Sequence, residues 1–396
     1  MLPSLIRLLA GQTVSQTGMS GLRAALPIYA LHQGYGATDI GLIVACFSAS
    51  NLVLSVPIGR LVDRRGLQFP WRGSVWLALL AASVCAAWPS LAGICLAAML
   101  SGTSAALSQM AAQHHVIVSS ANPQERAESI GWIMTAPAGA ALFGPMLMGV
   151  LLDRAGRAPA DQQALWAVCA ALALLALCSQ WIIRSVPERP VTPPMLSAPV
   201  PGAPTGRWAL LANPRFRMVL VVNTMSFTCW NAFLLIMPVL GHERGLSATL
   251  IGAIFGAFSV TAAVSRPLLP RLMRKVPRRW LLIGTNLGCA LIFASLVWVE
   301  AGWAYLLCAS LLGLTLGSVQ VLLLTNLSDE SPADKQGEAM GLRMMTYSAT
   351  SVVMPIAFGV VGALLGQAVV LLITAGVAAA AAALSTRLEQ GRVDPP

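Results

Sequence analysis

Within a long apolar run, a charged or hydrogen-bonding side chain must find a protein partner or water, so such residues are where this 396-residue chain can do chemistry. Arg23 is the sharpest case, because an arginine at the middle of a membrane helix costs about 2.5 to 3.5 kcal/mol even on a lenient scale. No acid lies mid-run to compensate it: Asp39, Asp63, Asp153, Asp161, Glu300 and Glu338 fall at the ends of apolar runs or between them. Two readings of Arg23 stay open. One is a cation facing a water-filled cavity, available to an anionic or carbonyl-rich solute; the other is a side chain snorkelling outward towards the end of the run near His32. Polar residues recur at helical spacing in four runs: Gln12, Gln16 and Ser20 ahead of Arg23; Ser101, Ser104 and Ser108; Asn223, Ser226, Trp230 and Asn231; and Thr315, Ser318 and Thr325. Each set marks one helix face suited to binding a solute. A serine or threonine in such a set has the alternative of bonding its own helix backbone.

Nothing comparable points to catalysis. The sequence has no HExxH, no GxSxG, and no serine, histidine and acid set on one face. A phosphate-binding loop is excluded, since no Gly-Lys pair occurs and the chain holds only two lysines. His114 and His115 are adjacent, about 100 degrees apart on a helix, and suit a structural place at a helix end. All eight cysteines lie in apolar runs without a CxxC pair or a histidine at ligand spacing, which makes them packing residues. Neither an enzyme nor a bound metal or cofactor is expected.

The elements that position these residues follow from composition. With 57% hydrophobic and 10% charged residues and a mean hydropathy of +0.73, the chain has far more apolar surface than a soluble domain, which carries about 25% charge. A helix crosses a bilayer with about 20 apolar residues, and twelve such units of 33 residues use the whole length. The runs read as spans over 4–31, 38–61, 72–89, 91–113, 129–152 and 162–184, then 217–240, 247–269, 279–299, 302–325, 339–362 and 365–386. The first of these is interrupted by Gln12, Thr13, Ser15, Gln16 and Thr17 and reads as a retained helix, not a cleaved signal.

The net charge of +10 sorts by loop. With twelve spans, 20 of the 25 basic residues, Arg60, Arg64, Arg65, Arg266 and Arg274 among them, fall on one side; Arg154, Arg157 and Arg244 fall on the other, and Arg23 and Arg343 lie within helices. The positive-inside rule makes that side, and both termini, cytoplasmic, in an inner membrane, and explains the charge without a nucleic-acid partner. A proline-rich stretch over 187–212 reads as a cytoplasmic linker between a six-helix bundle at 1–186 and another at 213–396. At an offset of 210, Glu128, Gly131, Met134, Pro145 and Gly149 recur as Glu338, Gly341, Met344, Pro355 and Gly359, which reads as an internal duplication.

Gly59, Leu61, Asp63, Arg64 and Gly66 close the second run with the spacing Gly-x-Leu-x-Asp-Arg-x-Gly. At this loop the chain resembles the major facilitator superfamily, although Leu67 and Gln68 stand where the motif's trailing basic pair would be. The resemblance covers essentially the whole chain. It implies an all-α membrane protein of twelve transmembrane helices in two pseudo-symmetric six-helix bundles, with spans 1, 4, 7 and 10 lining a central pathway. The solute-binding candidates are then Gln16, Ser20, Arg23, Ser104, Ser108, Asn223, Trp230, Asn231 and Ser318. The resemblance also implies that Asp63 meets the positive N-terminal end of the eleventh span near Glu338. Arg64 is expected to pair with Glu128 or Glu338, and Arg343, a turn into that span, to snorkel or to pair with Asp63. Gly59, Asp63, Arg64, Gly66, Glu128, Glu338 and Arg343 form the expected gate. The corresponding second-half loop, Ser265 to Lys275, keeps arginines but no acid.

Gly139, Gly144, Pro145 and Gly149 look like a partial form of the Gly-Pro motif of the superfamily's exporters, and Gly252 with Gly256 on the eighth span is implied to meet that span. Pro355 and Gly359 repeat its end in the second half. The resemblance favours a monomeric secondary transporter of a small organic solute, exporting it by alternating access in exchange for protons. The antiporters' arginine in span four, four residues before a glycine, would fall on Ala98 before Gly102, so proton coupling rests on the resemblance. Two other readings stay open: uptake or facilitated diffusion of an organic anion with Arg23 as counter-ion, and a polytopic sensor that binds without transporting.

Overall fold

The computed structural model describes residues 2–120, 122–155, 162–187, 209–246 and 248–388. Among them there is no strand. The helices are α1 (Leu2–His32), α2 (Ala37–Arg65), α3 (Gln68–Ala87), α4 (Leu91–Ser119), α5 (Pro123–Ile133), α6 (Ala136–Ala155) and α7 (Gln162–Ile183), followed by α8 (Ala209–Ala212), α9 (Pro214–Glu243), α10 (Ala248–Met273), α11 (Arg278–Ser295), α12 (Gly302–Asp329), α13 (Gln336–Leu365) and α14 (Gln367–Leu388). Each apolar run has become one helix, with one exception. The fifth is broken at Met134 and Thr135 into α5 and α6. Pro137 explains the break, because its ring has no N–H and crowds the carbonyl four residues back, at Ile133. Of the linker reading, residues 188–208 lie outside the described residues.

Ten helical stretches among the described residues are long and apolar enough to cross a membrane. The helices α1 and α11 are not among them: α1 is diluted by its glutamines, hydroxyls and Arg23, and α11 has 18 residues beginning with Arg278 and Arg279.

By packing, the residues form two units that do not follow the chain in simple blocks. Unit one holds Met1–Ala121, Thr135–Met195 and Ala333–Ser348, and unit two holds Asn122–Met134, Leu196–Pro332 and Ala349–Pro396. Thus α5 belongs to unit two and the start of α13 to unit one. Inside unit one, α1 packs on α4, α6 and α7, α2 on α4, and α3 on α4 and α7. Unit two repeats part of this scheme about 210 residues on, with α9 on α12 and α14, α10 on α12, and α11 on α12 and α14, but the close packing of α1 on α6 is not matched by α9 on α13 among the described residues.

Small residues set how close these helices come. A Cβ at Gly102 of α4 would lie 2.0 Å from the Phe47 carbonyl oxygen of α2, and one at Gly313 of α12 would lie 2.3 Å from the Phe258 carbonyl oxygen of α10. Where backbones touch like this, dispersion and interhelical hydrogen bonds replace the hydrophobic effect that lipid cannot supply. The hydroxyl of Thr103 accordingly donates to Ser50 (2.9 Å), and that of Ser50 to the Met99 carbonyl (3.1 Å).

Gly102→Ala should therefore lower stability by about 1 to 3 kcal/mol, the usual cost of overpacking. Gly284→Ala on α11, where an added Cβ meets nothing within 4 Å, should be neutral or stabilising. Thermal unfolding of the two variants in the same detergent checks the pair; equal losses would show that the close α2–α4 crossing is not what makes Gly102 special.

Candidate functional site

The end of α2 and the start of α13 meet through backbone in unit one. A Cβ at Gly59 would lie 2.0 Å from the Gly337 carbonyl oxygen, and one at Gly337 would lie 2.2 Å from that of Gly59, so neither position has room for a side chain. One turn on, Asp63 receives two backbone N–H groups of the first turn of α13, with Gly337 donating to Oδ1 and Glu338 to Oδ2 (2.9 Å). These donors have no partner inside their own helix, and the helix dipole concentrates positive potential on them, so a carboxylate is the complementary group. His114 of α4 adds its Nε2 at 3.3 Å from Asp63 Oδ1. The guanidinium of Arg60 donates to Glu338 (2.8 Å), and Gly66 ends α2 at a φ of 66°, where a glycine carries no Cβ penalty. Arg64 is exposed. The expectation that Arg64 holds Glu338 is thus corrected to Arg60. The start of α13 lies level with Gly59 to Asp63, which brings Glu338 beside the arginine one turn earlier. Arg343 is buried in α13, at 5% exposure.

Unit two contains a counterpart built from different residues. An added Cβ at Gly131 of α5 would lie 2.7 Å from the Arg266 carbonyl oxygen, as one at Gly341 would lie 2.4 Å from that of Ser55 in unit one. Glu128 accepts from Arg274 at 2.5 Å, which is the partner the sequence reading gave to Arg64. Asp329, at the end of α12, accepts from Arg278 at 2.7 Å and from Arg126 of α5 at 3.4 Å. At the start of α5 the cap is an amide, the Asn122 side chain accepting from the Glu125 N–H (2.8 Å). Arg266 itself is a second correction. Placed among loop residues by the charge sorting, it lies inside α10 at 6% exposure and donates to the Met134 carbonyl, where the fifth span breaks.

The expected solute-binding residues divide by what their polar atoms already do. Gln16 is buried, and its amide donates to the Ala105 carbonyl (3.0 Å) and Ser108 (3.4 Å) of α4. Ser20 donates to the Ala140 carbonyl of α6 (2.6 Å), and Ser104 to the Ser74 carbonyl of α3 (2.5 Å). Ser108 donates to Ala105 of its own helix (3.1 Å), and Asn231 to Phe227 of its own (3.0 Å). Asn223 and Ser318 are buried. Arg23 is exposed, its guanidinium carbon 6.0 Å from the centroid of the Phe47 ring. Trp230 is half-buried, edge-on to Phe258 at 4.8 Å.

The glycines of the fifth span pack on α1. An added Cβ at Gly144 would lie 2.2 Å from Ser20 Oγ and 2.6 Å from the Thr17 carbonyl oxygen, while one at Gly139 has only Thr13 at 3.7 Å. Pro145 lies within α6, and the surroundings of Gly149 lie outside the described residues. An added Cβ at Gly252, Gly256 or Gly359 meets no described atom within 4 Å, and Pro355 is exposed.

A profile of the Major Facilitator Superfamily matches residues 8–355 and, a second time, residues 219–395. This chain belongs to that superfamily. Solved structures agree on the fold. The human organic anion transporter TETRAN superposes with a TM-score of 0.78 at 17% identity, covering 96% of this chain and 98% of the other. The E. coli fucose:proton symporter gives 0.79 at 12% identity over 98% of each chain. A bacterial homologue of the iron transporter ferroportin gives 0.74 at 17% identity over 98% and 99%. No curated protein sequence matches. The protein is therefore a multi-pass integral membrane protein with a transporter's fold, not an enzyme's.

Within this facilitator the residues that sequence reasoning passed over are Arg60, His114, Arg266 and Arg274. Arg60 lies three residues before Asp63 and shares its helix face, and Arg266 interrupts an apolar run much as Arg23 does, so both carried a readable signal. For the α2 to α13 contact, Asp63→Ala should lower stability by about 1 to 2 kcal/mol, as loss of a helix-capping acceptor does. Asp63→Asn, which keeps one accepting oxygen, should lose less, and exposed Arg64→Gln should stay within about 0.5 kcal/mol. Chemical denaturation of the three variants in detergent gives that ranking; an Asp63→Ala protein as stable as the parent would contradict it.

Proposed function

We propose that this facilitator is a secondary transporter that exports a small organic solute across an inner membrane in exchange for protons. In this reading it has twelve spans, with α1 and α11 completing the ten apolar ones, and both termini are cytoplasmic. It acts as a monomer. Bundles at 1–186 and 213–396, joined by the linker at 187–212, alternate the exposure of one solute site lined by spans 1, 4, 7 and 10. The observation that carries the reading is the contact of Asp63 with the first turn of α13, which a transport cycle would make and break. Gly59, Asp63, Gly66, Glu338 and Arg60 then form the cytoplasmic latch. Arg343 supports it from within α13, Arg64 stays free for lipid headgroups, and Glu128 belongs to the second contact. The structural neighbours, which include an organic anion transporter and a proton symporter, support solute transport.

Among the solute-site candidates, Arg23 and Trp230 keep exposed surface and are assigned to the solute. Gln16, Ser20, Ser104, Ser108 and Asn231, whose donors are already committed, act by fixing their helices, and buried Asn223 and Ser318 are assigned to the same supporting role. Gly139, Gly144, Pro145, Gly149, Gly252, Gly256, Pro355 and Gly359 keep the moving helices smooth enough to slide.

Counterflow of a labelled solute in proteoliposomes tests this directly. An imposed proton gradient should accelerate exchange, and Asp63→Asn should slow it by about tenfold or more while leaving solute binding intact, since a lost switching contact raises a barrier without touching the site. Exchange that ignores the gradient would remove proton coupling, and normal turnover in Asp63→Asn would remove the latch.

A further inference from the structure

The basic residues of the two contacts described above have acids: Arg60 has Glu338, Arg274 has Glu128, and Arg126 and Arg278 share Asp329. Arg266 does not. It lies within the apolar stretch Leu250–Met273 at 6% exposure, and among the described residues no carboxylate is within ion-pair distance of it. One of its terminal nitrogens donates to the Met134 carbonyl, and its Nε is buried without a hydrogen-bond partner. Its guanidinium carbon lies 6.0 Å from the centroid of the Trp230 ring. A carbonyl and a ring face together soften a buried charge but do not neutralise it, and a cation enclosed in protein without an acid is costly to keep.

We propose that Arg266 and Trp230 form the anion-recognition subsite of the transported solute, which is an organic monocarboxylate with an apolar body. The carboxylate takes the Nε side of the guanidinium fork, and the apolar body lies along the half-buried Trp230 ring, whose edge contact with Phe258 fixes its plane. A neutral solute would leave the buried charge as it is, whereas an anion relieves it, so the site discriminates by charge. The bond from the other side of the Arg266 guanidinium to the Met134 carbonyl ties this subsite to the break in the fifth span and leaves the Nε side for the anion. The proposal rests on the transporter reading and deepens it; it moves the counter-ion from exposed Arg23 to buried Arg266.

The test uses the full chain purified in nanodiscs and three carboxylates, 1-naphthoate, benzoate and octanoate, each paired with its neutral carboxamide. Isothermal titration should show at least one carboxylate binding about tenfold or more tighter than its amide, a difference of about 1.4 kcal/mol. Arg266→Gln should abolish that preference while leaving the amide's affinity within about twofold, and Arg266→Lys should retain part of it, since charge survives and the fork does not. Trp230→Leu should weaken acid and amide together. If Arg266→Gln does not fold, Arg266→Lys must still reduce the preference severalfold. The proposal is overturned if no acid is preferred over its amide in the parent protein, if the preference survives in Arg266→Gln, or if that variant weakens acid and amide equally, as a purely structural tie to Met134 would. Counterflow with the same compounds separates the two claims. Arg266-dependent binding without counterflow sinks transport and keeps the subsite; counterflow of amides with no preference for acids does the reverse.

Discussion

In hydrocarbon no water is available to satisfy a polar group, and almost every feature of this structure answers that one constraint. It makes the described chain helical throughout, because a helix bonds its own backbone. It sends the hydroxyls of Thr13, Thr17, Thr285 and Thr374 back to carbonyls one turn earlier. It brings α2 against α4 and α10 against α12 through glycines, since without a hydrophobic drive between helices only intimate contact holds them. It also matches the unpartnered N–H groups at the start of α13 to the carboxylate of Asp63.

The same constraint ranks the charged residues. Exposed Arg64 and Arg65 cost little where they are, Arg65 lying over the Phe69 ring at 4.9 Å. Arg60 and Arg274 are each matched to one acid, and those acids, Glu338 and Glu128, stand at equivalent positions 210 residues apart although the arginines do not. Arg266, deeper and without an acid, is the departure from the pattern, and departures of that kind in membrane proteins are where ligands act.

Most of the helix layout was legible because apolar runs of 20 or so residues leave few alternatives. The ends were legible only to within a turn or two. The run ending near 113 continues as helix to Ser119, through His114 and His115 to a further apolar turn, and the one ending near 325 continues to Asp329, because a few polar residues do not by themselves end a helix. The break in the fifth span was written in Pro137 but hidden by the apolar residues around it. The place of Asp63 at the start of α13 followed from the loop motif, yet its neighbours did not, for periodicity says which face a residue occupies and not how far along a partner helix it sits. That is why Arg60 rather than Arg64 holds Glu338. Of the polar stripes, Ser104 and Gln16 lie on helix faces turned towards α3 and α4.

The backbone contact of Gly59 with Gly337 makes the junction of α2 and α13 a threshold device. The two N–H bonds to Asp63 and the ion pair of Glu338 with Arg60 all depend on residues 337 and 338, so a small retreat of that turn strains every one of them together. A junction built this way concentrates its resistance in a single helical turn, so a displacement there loads the carboxylate bonds and the ion pair at once, whereas the same displacement elsewhere along α13 touches neither.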